Sequence, residues 1–421
     1  MATVLLNKRI IVGVCGGIAS YKSVELVSHL QQAGAFVDVV MTEHAEDFIR
    51  PLTFATMSHR EVYTDLWEAS GRAAEMHIEL AERADLLALV PATANTIAKL
   101  AHGMADNTLT AVALATKAPL LVAPAMYSNM YEHPATQANL ALLREYGAYI
   151  IGPDVGRLAS GAIGPGRLPE TEVLLGAIRM VLGRNGDIAG RRVVVTAGGT
   201  QEPIDPVRYV GNRSSGKMGY AIAEEARDRG AQVTLISSPT ALQAPYGVEL
   251  RTVNTAMQMR DVVHETVGNA DVLVMSAAVA DFRPATPVAR KMKKGETQQG
   301  SDDKSEFPLY LVRNPDILRE LADAADEQIG NGRPPRHLLR VGFAAETDEV
   351  ITNAQAKLVE KQLDLLVAND VSRTDSGFGT DTNKVFIFHA DAPMEDLPVM
   401  SKTDVAAAIW DRIVSLLETT E

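Results

Sequence analysis

One cysteine, Cys15, stands among 421 residues, so the chain cannot form an internal disulfide or a cysteine-cluster metal site, and it suits a reducing compartment. The nine histidines contain no HxxxH-type pair, which removes the usual framework for structural zinc. No apolar run reaches the length of a membrane span. The opening stretch, MATVLLNKRIIVGVCGG, has too short an apolar segment and no small-residue cleavage site for a secretory signal, so a cytoplasmic location is expected. Positive charge is also scarce. Against 53 Asp and Glu there are 40 Lys and Arg, a net charge of −13, whereas a surface that grips nucleic acid or anionic lipid needs a net basic face. Neither partner is expected, although local basic clusters can still hold small phosphates. What is present is ordinary globular composition, 46% hydrophobic and 22% charged, in a length that holds two or three domains.

In the first half, apolar runs (RIIVGV, AFVDVVMT, ADLLALVP, APLLVAP, GAYIIGP) alternate with helical patterns such as Tyr21 to Gln32. Strands separated by helices at this spacing imply a parallel sheet covered on both faces. Residues 170 to 183 read as another helix, and the glycine-rich GRNGDIAGRR that follows reads as a linker near 183 to 191. The pattern then restarts with RRVVVTAGG, a helix over 216 to 229, AQVTLISS, ADVLVMSA, HLLRVGFA, LDLLVAND and a closing helix over 403 to 418. The expected fold is therefore α/β, two doubly wound, mainly parallel-sheet domains in tandem, 1–185 and 186–421. Residues 295 to 305, GETQQGSDDKS, are polar enough to predict a flexible loop.

Ligands of open α/β sheets bind beyond the carboxyl ends of the strands, so the strand exits hold the candidates. Gly13-x-x-Gly16-Gly17 is not GxGxxG, and the second strand ends in Thr42 followed by Glu43, without the well-placed acid that takes a ribose diol in an NAD site. A phosphate or flavin near Gly16 to Ser20 fits a helix start, and so does a plain tight turn. PATANT (91–96) and PAMYSNMYEHPAT (124–136) suit hydrogen bonding to a ring or phosphate and equally suit helix capping. GNRSSGKMG (211–219) satisfies GxxxxGK, but Met218 replaces the Ser or Thr that a P-loop needs for magnesium, so it reads as an anion site at a helix start. SAAVADFRP (276–284) leads into a cluster of Arg290, Lys291, Lys293 and Lys294, and Lys357 and Lys361 share one helix face. Basic groups converging on sheet ends would suit a triphosphate with magnesium sharing the charge. LASGAIGPGR (158–167) reads either as a connector or as a mobile flap.

GVCGGIASYK, MHIELAERADLLALVPATANTIAKLAHGMADN and PAMYSNMYEHPATQANL resemble the flavin-dependent cysteine decarboxylases. VTAGGTQEPIDPVRYVGNRSSGKMG, SAAVADFRP, LVRNPDIL, VGFAAET and LDLLVANDV resemble the ligase that joins cysteine to phosphopantothenate. In this order, over nearly the whole chain, they resemble the bacterial bifunctional phosphopantothenoylcysteine decarboxylase/phosphopantothenate–cysteine ligases of coenzyme A synthesis. The resemblance implies FMN in the first domain, where oxidation of the substrate thiol lets the carboxylate leave as CO2. It places Gly16, Gly17, Ser20, Thr42, Thr93 and Asn95 at the flavin, His77 as base or positioning group, and Met126, Asn129 and Arg167 at the substrate. For the second domain it implies attack of the 4′-phosphopantothenate carboxylate on CTP with Mg2+, giving an acyl-cytidylate that L-cysteine resolves. Asn212 falls on the acyl-intermediate position, and Arg208, Ser214, Ser215, Gly216 and Lys217 on acyl-substrate positions. Ala277, Ala278, Asp281, Lys291, Asn314, Pro315, Asp316, Ile317, Phe343, Lys357 and Lys361 fall on nucleotide positions, Lys291 neutralising phosphate charge. A homo-oligomer is implied, with ligase dimers and higher assembly through the decarboxylase domain.

Two residues depart from the family pattern. Tyr127 stands where PAMN has an asparagine, and Ser160 stands where the flap has a cysteine acid. A hydroxyl is a far weaker acid than a thiol, so Ser160 is expected not to inherit proton donation, which passes to a held water or to Tyr127. The alternative reading is an active ligase with an impaired decarboxylase half. With those groups in their flanking motifs, 158–167 reads as a flap over the flavin site.

Overall fold

The computed structural model describes residues 3–66, 76–292, 308–330, 338–346, 350–370, 377, 379–390 and 392–420. Lys293, Lys294 and the polar 295–305 segment lie outside these. The chain divides into two compact units, Met1–Arg184 and Asn185–Glu421.

In the first unit β1 (Arg9–Val14), β2 (Phe36–Met41), β3 (Val62–Tyr63), β4 (Leu86–Ala92), β5 (Leu120–Pro124) and β6 (Tyr149–Ile150) form a parallel sheet. Their order, β3-β2-β1-β4-β5-β6, is that of the doubly wound dinucleotide-binding fold. Between the strands run α1 (Ser20–Gln32), α2 (Pro51–Ser58), α3 (Met76–Arg83), α4 (Ala94–Ala101), α5 (Thr108–Ala115), α6 (Ser128–Glu132) and α7 (Pro134–Glu145). The 158–167 stretch belongs to an antiparallel hairpin, β7 (Asp154–Arg157) with β8 (Ile163–Arg167), which leads into α8 (Thr171–Gly183). Helices cover both sheet faces, so every residue of β4 is buried and its sequence is a continuous apolar run rather than an alternating one. Ile11, Leu87, Leu89, Ile97, Leu109, Val122 and Leu140 meet in one cluster, each buried side chain contributing about 1.5–3 kcal/mol. Asp38 is a charged residue inside β2, 1% exposed. Arg60 Nε (2.8 Å) and Arg83 Nη2 (2.9 Å) both donate to its carboxylate, which pins the end of α3 to the sheet.

The second unit repeats the plan and extends it. Here β9 (Arg192–Ala197), β10 (Gln201–Pro203), β11 (Tyr209–Gly211), β12 (Gln232–Ser237), β13 (Glu249–Thr252), β14 (Val272–Met275), β15 (Phe282–Pro284) and β16 (Leu311–Arg313) are followed by β17 (Leu339–Glu346) and β18 (Leu365–Asp370). Then come β19 (Thr382–Asn383), β20 (Val385–His389), β21 (Glu395–Asp396) and β22 (Met400–Ser401). The helices are α9 (Lys217–Asp228), α10 (Ala256–Val267), α11 (Ile317–Gly330), α12 (Val350–Glu360) and α13 (Lys402–Thr420). The sheet order is β13-β12-β9-β14-β17-β18-β20-β21, parallel as far as β18 and antiparallel in its last two strands. Neighbouring residues of a strand face opposite ways, and the cores follow that rule. Val193 and Val195 join Leu235, Val341 and Trp410 on one face, while Val194 joins Ile236, Leu273 and Leu366 on the other. The mainly parallel, doubly wound α/β expectation holds for both units. The antiparallel β20 and the β10–β11 and β15–β16 hairpins add to it.

Candidate functional site

In the first unit the strand order reverses between β1 and β4, and the candidates from 16 to 20 and from 93 to 95 lie on either side of that point. Ser20, the first residue of α1, is fully buried, and its Oγ has no hydrogen-bond partner. An orphaned hydroxyl at a helix start suits a phosphate or phosphate-bearing cofactor, which the first-turn N–H groups would also favour. Gly16 lies close beneath the loop after β2, where a Cβ would come within 2.7 Å of the His44 backbone oxygen. Thr42 is half-buried there and Asn95 is exposed. Thr93 caps α4, its Oγ1 accepting from Thr96 N (3.3 Å) and donating to Thr96 Oγ1 (3.2 Å), so the capping reading of PATANT is realised. Cys15 is buried behind this turn. Burial pushes its thiol up against the opposing hydrogen bonds of Thr96 and Thr93, which leaves it an inert apolar group.

His77 is the second residue of α3, and its Nδ1 is buried with no partner. The Arg83–Asp38 pair fixes the far end of that helix. Met126 N donates to Gly166 O (3.0 Å), which ties β8 to the exit of β5. Gly166 has φ +137°, and a Cβ there would overlap Met126 O. Beside it Ser128 Oγ lies against Gly164, buried and without a partner. The tip is exposed, and there Ser160 sits in the turn closed by Leu158 N to Ala162 O (2.8 Å) and Gly161 N to Leu158 O (2.9 Å). Tyr127 and Asn129 are exposed at the β5 exit. Arg167, expected at a substrate anion, donates to Glu170. Lys22 Nζ also donates to Glu170 (2.9 Å), and that bond, with the nearby Arg167 charge, holds the carboxyl below its ordinary range against the effect of burial.

In the second unit a cavity of about 960 Å³ opens where the order reverses between β9 and β14. It brings together Asn212, Ser214, Ser215, Gly216 and Lys217 at the start of α9, Ala277, Ala278 and Asp281 after β14, and Asn314, Pro315, Asp316 and Ile317 at the start of α11. Phe343 of β17, with Lys357 and Lys361, completes it. Asn212 Nδ2 donates to the carbonyls of Ala278 and Val279 (3.3 Å each), and Asn314 Nδ2 to Ala280 O (2.7 Å), so the loops after β14 are fixed by two amides. Lys361 pairs with Asp316 (2.9 Å). Arg208 and Lys291 do not line the cavity. Arg208 Nη2 donates to Met292 O (2.8 Å), next to the exposed Lys291.

The sequence pattern missed three residues of this unit. Asn383 and the buried Lys402 line the cavity from the C-terminal elements. Asp205 holds the Arg208–Met292 corner through Val207 N and Arg208 N (2.8 Å each) and Met292 N (3.3 Å). EPIDPVRY carries that turn signal openly, an Asp after Ile and before Pro, whereas nothing local marks Lys402. Among the described residues no group of three or more His, Cys, Asp or Glu could hold a metal ion. No helix among them is long and apolar enough to cross a membrane.

Residues 2–183 match the family described as Flavoprotein, and residues 188–417 match the DNA/pantothenate metabolism flavoprotein C-terminal domain. The chain is 45% identical to the coenzyme A biosynthesis bifunctional protein CoaBC of Bacillus subtilis (strain 168), over 99% of both chains. It is 41% identical to the protein of the same name from Vibrio vulnificus (strain CMCP6), over 98% of this chain and 99% of that one. A solved structure of the C-terminal domain of a coenzyme A biosynthesis bifunctional protein CoaBC is 37% identical, covers 56% of this chain and 99% of that one, and has a TM-score of 0.45. By its full-length likeness to these relatives, the chain belongs to the family of coenzyme A biosynthesis bifunctional proteins.

Proposed function

We propose that this protein makes 4′-phosphopantetheine in two steps, its second domain (186–421) ligating L-cysteine to 4′-phosphopantothenate with CTP and its first (1–185) decarboxylating the product with FMN. The observation that supports the reading most is the cavity at the strand-order reversal, because groups from 212–217, 277–281, 314–317, 343, 357 and 361 share it. In the ligation a substrate carboxylate oxygen bonds to the α-phosphorus of CTP and the bond to the β-phosphate oxygen breaks, releasing pyrophosphate. The cysteine amine then attacks the acyl carbon, loses a proton, and CMP leaves. Asn212 turns its amide from the Ala278 and Val279 carbonyls to the acyl oxygen as charge develops there. Lys357 and Lys361, one turn apart on one helix face, neutralise phosphate charge, and Asp281 takes a nucleotide hydroxyl. Mg2+ enters mainly with the nucleotide phosphates.

In the first domain Ser20 Oγ and the N–H groups of α1 would hold the FMN phosphate, with Gly16, Gly17, Thr42, Thr93 and Asn95 around it. Bound FMN would accept two electrons from the substrate thiol, which makes the neighbouring carboxylate a leaving group, and would return them to the resulting enethiolate, which takes up a proton to give the saturated thiol. His77, with a free buried Nδ1, orients the substrate or takes its proton, and the 158–162 tip closes over it. The protein works in the cytoplasm as a homo-oligomer. Ile18 after β1, Tyr127 and Met130 after β5, and Val155 and Ile163 of the hairpin are all exposed, which supports burial of the flavin end against another copy. The deciding experiment incubates the protein with 4′-phosphopantothenate, cysteine, CTP and Mg2+ and separates products by mass. Ligated and decarboxylated products are both expected. Equal turnover with ATP would overturn the nucleotide assignment, and ligated product with no CO2 would leave only the ligase.

A further inference from the structure

Lys402 opens α13 and is 7% exposed, yet its ammonium has no carboxylate within ion-pair distance among the described residues. It donates to two backbone carbonyls, Gly377 O (3.1 Å) and Thr380 O (2.6 Å). Lys217 reaches the same short loop from the start of α9, donating to Gly379 O (3.1 Å) and to Asp381 Oδ1 (2.7 Å). Both lysines line the cavity, with Asn383 between them in sequence space on β19. Among the described residues the one carboxylate bonded in this corner, Asp381, is 90% exposed in its side chain and engaged by Lys217, so solvent screens it. A buried cation satisfied only by neutral carbonyls is costly unless an anion completes it. Burial pulls the Lys402 ammonium below its ordinary range and the nearby Lys217 charge adds to that, with Asp381 opposing. Among the described residues each ammonium commits two of its three donors, and the cavity lining also includes Ser214, Ser215 and the first turn of α9.

We infer that Lys402 and Lys217 form a phosphate-binding corner of the cavity, their spare donors converging on one phosphate group that supplies the missing negative charge. The inference deepens the ligase reading and rests on it for the identity of the ligand. That phosphate belongs either to the terminal group of the acyl substrate or to the triphosphate of the nucleotide.

The test uses the full-length protein and Lys402→Met, Lys402→Arg and Lys217→Met, with KM measured separately for 4′-phosphopantothenate and for CTP. Lys402→Met should raise one of the two KM values by about tenfold or more with a smaller change in kcat, because a charge-assisted hydrogen bond to substrate is lost. Lys402→Arg should recover most of it, and Lys217→Met should raise the same KM. A rise for 4′-phosphopantothenate assigns the acyl phosphate, and a rise for CTP the triphosphate. If neither KM moves while the variant melts like the wild type, or if kcat and thermal stability fall together at unchanged KM, Lys402 is only a structural clamp and the inference is wrong. Calorimetric titration with inorganic phosphate needs no turnover. Should the wild type fail to ligate, that titration still separates the two claims, since binding lost in Lys402→Met and kept in Lys402→Arg upholds the corner, and no binding to the wild type overturns it.

Discussion

Gly166 carries the tightest constraint at the scale of single residues. Its φ of +137° is open to glycine and strained for any other residue, and a side chain would run into the carbonyl of Met126. Gly166→Ala is expected to cost about 1–3 kcal/mol locally and to loosen the hairpin from the β5 exit. Limited proteolysis checks it: cleavage should appear within 158–162, and an unchanged digestion pattern would count against the anchoring. Ser160 is the opposite case. Its hydroxyl is exposed in the hairpin turn and bonds to none of the described residues, so Ser160→Ala should leave CO2 release near the wild-type rate, whereas loss of release with FMN still bound would make the serine itself the acid. Residues such as Gly16, Ser20 and Asn212 were legible because a strand followed by glycines and small polar residues is a local pattern. Lys402 was not, because what makes it unusual is burial against carbonyls some twenty residues away, which no local spacing records.

Among elements, the β10–β11 hairpin shows what a loop carboxylate does for a site. Burial alone would raise the Asp205 carboxyl, but the N–H groups of Val207, Arg208 and Met292 outweigh it and hold the group below the ordinary carboxylate range. These bonds, with Val288 N to Ile204 O (2.9 Å), fasten the segment carrying Lys291 to the hairpin tip. A depressed folded-state pKa stabilises above the unfolded value of about 3.9 and is lost as pH falls through the lower folded value. Asp205→Asn should therefore melt several degrees below the wild type at pH 7, and the gap should close below about pH 4. It should also raise KM for CTP if Lys291 touches the nucleotide. A gap that is constant from pH 7 to pH 3 would mean that the charge is not what stabilises the corner. Parallel strands such as β4 and β5 were readable from apolar runs of five to seven residues, whereas parallel β3 has two residues, parallel β13 reads ELRT, and β10, β11, β15 and β16 have three residues each, too few to display a period. Helix α10 was missed although its start signal is local: Thr255-x-x-Gln258 spells a capping box, and both of its reciprocal bonds form.

For the whole molecule, the two units share one strand order through the six parallel strands of each main sheet, and in both the candidate groups gather where that order reverses. Fold class and site position were thus linked from the start, since a repeated strand-glycine-helix pattern fixes where the sheet can open to a ligand. What differs is the end of the second sheet. There antiparallel β20 and β21 extend it, and α13 closes one face by burying Trp410, whose Nε1 donates to Ile222 O (3.0 Å). The first unit's core cluster draws on none of these residues. Trp410→Ala should remove about 3–5 kcal/mol from the second unit and leave the first unit's stability unchanged. In a thermal scan that follows bound flavin and ligase activity in parallel, activity should be lost at a lower temperature while flavin release stays at the wild-type midpoint. If both shifted together, the two cores would unfold as one cooperative block, and the independence implied by their separate clusters would be refuted.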